Sequence, residues 1–155
     1  MTYPAIVAHV KNLLGKPPLC GDGRTAPCEL CIDQTGVGAP VGDLIVASGL
    51  DPVRITITAS TEAVWGNTSW HVGKQVLISQ LDAVLHTGVL KFAAALSEAD
   101  AMKGELRDFQ RKVSDAGRAS YAARVGKHDD LVLSVAIACW WLGREQAPTA
   151  KFGHY

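Results

Sequence analysis

His128, Asp129 and Asp130 stand directly before Leu131 to Leu142, a run that carries one serine among otherwise apolar residues. Acidic side chains at such a place have an ordinary use. They satisfy the free N–H groups of a first helical turn and offset its dipole. One carboxylate is enough for a cap, and two after a histidine give more anionic character than a cap needs. Carboxylate oxygens are also the hard ligands that suit Mg²⁺ or Mn²⁺, ions that keep several waters and use few protein groups. Taken alone, the three residues leave capping and ligation both open.

Asp33 raises the same pair of readings. It ends the short stretch "CELCID" and enters the glycine turn "QTGVGAP". An aspartate there accepts backbone N–H bonds within the turn or caps the next helix. The functional reading is a metal ligand or an acid/base group.

Other groupings carry less. "TGVGAPVG" places glycines at 36, 38 and 42, so Val41 falls where G-x-G-x-x-G requires glycine, and no acidic residue follows at the ribose distance. No Walker A motif occurs, and no nucleotide is expected. Cys20, Cys28 and Cys31 suggest zinc, but a fourth ligand and a second C-x-x-C are missing, so a closed structural site is not expected. Cys139, inside the apolar run, reads as core. Trp65 and Trp70 could stack on bases, with packing as the plainer use. Lys74 opens an amphipathic stretch and reads first as solvated charge. His71 and His86 carry no usable pattern.

These residues need elements to hold them. "PAIVAHVKNLL" has helical apolar spacing with Pro4 in its first turn, and "PVGDLIVASGL" is a second helix closed by Gly49. "VRITITA" alternates with β-branched residues and is the clearest strand. A polar loop containing Trp65 and Trp70 leads to the helix "KQVLISQLDAVLHTG", ended by Gly88. "VLKFAAAL" reads as a short edge strand. "EADAMKGELRDFQRKV" reads as a helix with a stripe at Met102, Leu106, Phe109 and Val113. "ASYAARV" is a last strand, followed by an apolar helix from about Asp129, and residues 145–155 form a flexible tail. Strands alternating with helices predict an α/β fold with a largely parallel sheet, whose active residues collect at the carboxyl ends of strands.

The 155 residues fit one domain with a substantial core, and the 48% hydrophobic and 19% charged fractions exclude a disordered chain. Fifteen basic and fifteen acidic residues cancel, so no global field attracts nucleic acid, and DNA contact must come from local patches or bound metal. "MTYPAIVAHVKNLL" lacks the basic n-region and unbroken apolar stretch of a signal peptide, and the longest apolar run is too short to span a bilayer. The expectation is a soluble cytoplasmic chain with reduced cysteines.

Three segments together resemble the nuclease domain of bacteriophage terminase large subunits, the DNA-packaging motors of tailed phages. They are "IDQTGVGAPVGDLIVASGLDPVRITIT", "WHVGKQVLISQLDAVLHTGVLKF" and "ELRDFQRKVSDAGRASYAARVGKHDDLVLSVAIACWW". The most specific parts are the D-x-T-G-V-G-x-P-V turn and H-D-D-L-V-x-S-x-A-x-A-x-W. The resemblance implies an RNase H-like, RuvC-like domain over residues 1–144, a mixed, largely parallel sheet flanked by helices. It implies cleavage of double-stranded DNA during packaging, with two Mg²⁺ or Mn²⁺ ions about 3.5–4 Å apart activating water and stabilising the leaving oxygen. Asp33 would match the family's second acidic position, on a central strand, and Asp129 and Asp130 its final one. Successive helical residues point about 100° apart, so one of that pair ligating while the other caps is consistent. His128 would support the metal water or scissile phosphate, or serve structure. Lys74 and Lys127 are the candidate DNA contacts. The implied partners are double-stranded DNA, the ATPase half of the motor, the small terminase subunit and the portal, in the cytoplasm of an infected bacterium and with no membrane. The family's first catalytic aspartate lies on a strand upstream of the helix that here begins near Tyr3, and Asp22 does not match it. The expectation is thus an N-terminally truncated domain. Its alternative is a catalytically incomplete fragment serving as a DNA-binding or motor-assembly module.

Overall fold

The computed structural model describes residues 2–21, 27–93, 95–113, 119–123 and 129–145. They form an α/β protein in two compact units, the first within Met1–Thr58 and Ala63–Val72, the second within Ala59–Glu62 and Gly73–Tyr155.

The first unit contains helices α1 (Tyr3–Leu14) and α2 (Ala39–Ala47) and strands β1 (Cys31–Asp33), β2 (Val53–Thr58), β3 (Ala63–Trp65) and β4 (Trp70–Gly73). Pro4 starts α1, and the Lys11 ammonium donates to the Ser48 carbonyl at 2.6 Å, joining α1 to the end of α2. The helix α2 closes as its spacing predicts. Leu50 N–H reaches the Ile45 carbonyl and Gly49 N–H the Val46 carbonyl, the paired bonds of a Schellman motif, with Gly49 at φ +86°. β1 and β2 run parallel, pairing Cys31 with Val53 and Asp33 with Ile55. The sheet order is β1-β2-β4-β3, with β3 and β4 antiparallel, so the sheet is mixed. α2 packs tightly on its first two strands: a Cβ at Gly42 would come within 3.1 Å of Ile32 Cδ1. Val7, Ile45, Ile55 and Val72 are among the buried apolar residues of this unit.

The β3–β4 hairpin corrects the polar loop expected around Trp65 and Trp70. Those residues face each other across the two strands, ring centroids 5.2 Å apart and edge-on, a cross-strand aromatic pair. Strands of three and four residues are too short to display alternation, which is why the pattern reads as loop.

The second unit contains α3 (Lys74–His86), α4 (Ala99–Asp108), the antiparallel pair β5 (Phe109–Val113) and β6 (Ala119–Ala123), and α5 (Asp130–Glu145). α3 packs along α5, and both bury residues at helical spacing: Leu77 and Leu81 on one, Val132, Ala136, Ile137 and Trp140 on the other. Two further expectations need correction here. The helix expected over 98–113 stops at Asp108, because Phe109 to Val113 find a strand partner in Ala119 to Ala123. The edge strand expected over 89–96 is not formed among its described residues. No helix of the described residues is long and apolar enough to cross a membrane. The tail expected to be flexible lies, from residue 146 onward, outside the described residues.

Candidate functional site

Asp33 is the last residue of β1, exposed at its carboxyl end. Its Oδ1 accepts the Thr35 N–H at 2.8 Å and also the Thr35 hydroxyl, an Asx turn. The Thr35 hydroxyl oxygen in turn accepts the Ile57 N–H at 2.8 Å, and Gln34 N–H bonds the Ile55 carbonyl at 2.8 Å, so the turn is laced to β2. Gly36 adopts φ +65°, which favours glycine, and a Cβ at Gly38 would stand 2.7 Å from the Asp33 carbonyl oxygen. Backbone conformation and space thus explain the glycines of "TGVGAPVG" without a bound dinucleotide. Among the described residues only Thr35 bonds the Asp33 carboxylate, and through one oxygen. β1 is an edge strand of the described sheet, whereas the resemblance implies a central strand for Asp33.

In the second unit, the N-terminus of α5 is capped from another helix. Glu105, on α4, accepts the N–H groups of Leu131 and Val132 on one oxygen, at 2.9 and 3.1 Å. These are among the free donors of the first turn. Asp129 therefore does not supply this cap. Its Oδ2 lies 2.8 Å from the ammonium of Lys74, the first residue of α3, with 23% and 26% of the two side chains exposed. The same ammonium stands 5.7 Å from the centre of the Phe109 ring, within cation–π range. Asp130, the first residue of α5, is exposed.

Lys74 and Asp129 are thus brought together, 55 residues apart in the chain. Lys127 and His128 lie outside the described residues. Glu105 was not among the sequence candidates: its partners are 26 and 27 residues away, and nothing in a charged helix marks one glutamate as a cap for another. Burial pushes the Cys139 thiol above its ordinary value, but the residue is half-buried on α5 rather than in the core expected for it. Cys31 opens β1, Cys28 is exposed just before it, and the Cys20 thiol donates to the Gly21 carbonyl.

The donors can be tested against a divalent cation. Among the described residues no three His, Cys, Asp or Glu side chains converge on one point. Of the carboxylates at the start of α5, Asp129 offers hard oxygens but is paired with Lys74, and Glu105 is taken up by backbone donors.

No family model matches the chain, no curated protein matches it, and no solved structure matches it.

Proposed function

We propose that the chain is the RNase H-like nuclease domain of a phage terminase large subunit, which hydrolyses double-stranded DNA during genome packaging with Mg²⁺ or Mn²⁺. The observation that carries this reading is the division of labour at the start of α5. Glu105 takes the backbone donors, and the Asp129 carboxylate is left to hold positive charge. The parallel β1–β2 pair, with Asp33 at its carboxyl end, is the other support, since ligands of α/β sheets gather there.

On this reading Asp129 and Asp130 are metal ligands, the resemblance implies Asp33 as a further one, His128 orients water or the scissile phosphate, and Lys74 and Lys127 contact the DNA backbone. The metal, when bound, supplies an activated water and a stabilised leaving oxygen. The Thr35 bonds fix the Asp33 carboxylate, and the burial of Asp129 beside Lys74 limits its contact with bulk water.

Supercoiled plasmid incubated with the chain and Mn²⁺ is expected to be nicked, with no nicking in EDTA. Asp129→Asn and Asp33→Asn are each expected to reduce the rate at least about a hundredfold, the scale on which lost metal-ligand or charge-stabilising groups act. Cleavage that persists in both variants sinks the reading. A folded wild type that binds duplex DNA without cutting it favours the DNA-binding or motor-assembly module.

A further inference from the structure

We infer that Cys20 and Cys28 form an oxidisable thiol pair that a peroxide closes to a disulfide, with Cys28 oxidised first and Cys20 resolving it. The inference lies within the first unit and is independent of the nuclease reading.

Backbone bonds bring the two residues together. Cys20 lies in the turn after α1, where the Leu19 and Cys20 N–H groups both bond the Lys16 carbonyl, at 2.8 and 3.1 Å. The Cys28 N–H bonds the Leu19 carbonyl at 2.9 Å, so the chain returns to the residue next to Cys20. Across the trans Leu19–Cys20 peptide, the Cys20 Cα stands about 2.8 Å from that carbonyl oxygen, and the Cys28 Cα about 4 Å from it. The two Cα atoms are therefore within about 7 Å of each other, which admits the separations of about 4.4–6.8 Å found in disulfides. Cys31 is engaged elsewhere: it opens β1 and pairs with Val53.

Exposure sets the order of events. Cys28 is exposed, whereas Cys20 is half-buried and its thiol donates to the Gly21 carbonyl at 3.2 Å. An oxidant in solution reaches Cys28 first. The Cys28 thiolate attacks one peroxide oxygen, the O–O bond breaks, and the other oxygen leaves and takes a proton to become water. Cys28 is then a sulfenic acid. The Cys20 thiolate attacks the Cys28 sulfur, the S–O bond breaks, and that oxygen leaves as a second water. Two thiols and one hydrogen peroxide thus give one disulfide and two waters, with two electrons passing from sulfur to peroxide. The new bond ties the turn after α1 to the segment that leads into β1.

The full chain, reduced and then exposed to equimolar hydrogen peroxide under native conditions, tests the pair. Trypsin cuts after Arg24 and a glutamyl protease after Glu29, so Cys20, Cys28 and Cys31 fall on separate peptides. The Cys20 and Cys28 peptides are expected to appear linked, with two of the four thiols lost and both restored by dithiothreitol. Oxidised wild type is expected to melt about 5–10 °C above the reduced form, the shift for closing a short loop in a chain of this length. In Cys20→Ser the link and the shift are expected to vanish, and Cys28 is expected to react with dimedone, a reagent for sulfenic acids. Cys20→Ala serves if the serine variant does not fold. Folded wild type in which these two peptides stay unlinked, or in which Cys28 links only to Cys31 or to another chain, overturns the inference.

Discussion

Glu105 contributes to α5 as an N-cap residue does, but from α4, with one carboxylate oxygen shared between two backbone donors. Capping side chains are worth about 1 kcal/mol, and up to about 2 where the helix end is partly buried. Glu105→Ala is therefore expected to lower unfolding free energy by about 1–2 kcal/mol in urea titration, and Glu105→Gln, which keeps an acceptor, by less than half of that. An alanine variant as stable as wild type would return the capping duty to Asp129 or Asp130 and weaken the case for ligation. Asp33 and the Asp129–Asp130 pair were legible as candidates because carboxylates stood out against a strand end and an apolar run. Their partners were not legible. Lys74 meets Asp129 and Glu105 meets Leu131 only through the packing of separate helices, and a linear pattern carries no signal for contacts across 55 and 26 residues. The choice between cap and ligand therefore could not be made from the acidic residues themselves.

Gly73, where β4 passes into α3, shows how an element delivers one of these side chains. Its φ of −62° suits any residue, so conformation does not require glycine. Space does. A Cβ there would stand 1.9 Å from the Ser60 carbonyl oxygen and 2.7 Å from its carbon, while the Gly73 N–H bonds the Glu62 carbonyl at 2.9 Å. Because the obstacle is backbone, Gly73→Ala must move the chain, and overpacking of this kind costs about 1–3 kcal/mol. The variant is expected to melt at a lower temperature; unchanged melting would show that the segment yields freely. The long elements were legible, α1, α2, α3, α5 and β2, because each spans enough residues for its period to emerge. The hairpins were not. β3 has three residues and β4 four, and Phe109 to Val113 continue a helical stripe until a partner strand claims their backbone. Strand pairing decided these segments over local pattern, as β-propensity arguments allow.

The whole chain carries fifteen basic and fifteen acidic residues, a formal charge of zero, and this bears on the proposed contact with DNA. Duplex affinity that comes from neutralising phosphates needs a surplus of cations on the binding face. Here one candidate, Lys74, is engaged by Asp129. On the proposed reading, the acidic site without a divalent cation repels phosphate, and the Lys74 ammonium is engaged by Asp129. On the same metal-dependent reading, a divalent cation neutralises the carboxylates, so the sign of the local field changes while the protein's own charge does not. Fluorescence anisotropy with a labelled duplex is therefore expected to show binding at least about tenfold tighter in 5 mM Mg²⁺ than in EDTA at equal ionic strength, with the gain lost in Asp129→Asn. The direction is diagnostic. For a protein held to DNA by a fixed basic patch, Mg²⁺ competes for phosphate and weakens binding. Weaker binding in Mg²⁺ would place the DNA contact on a surface independent of Asp129.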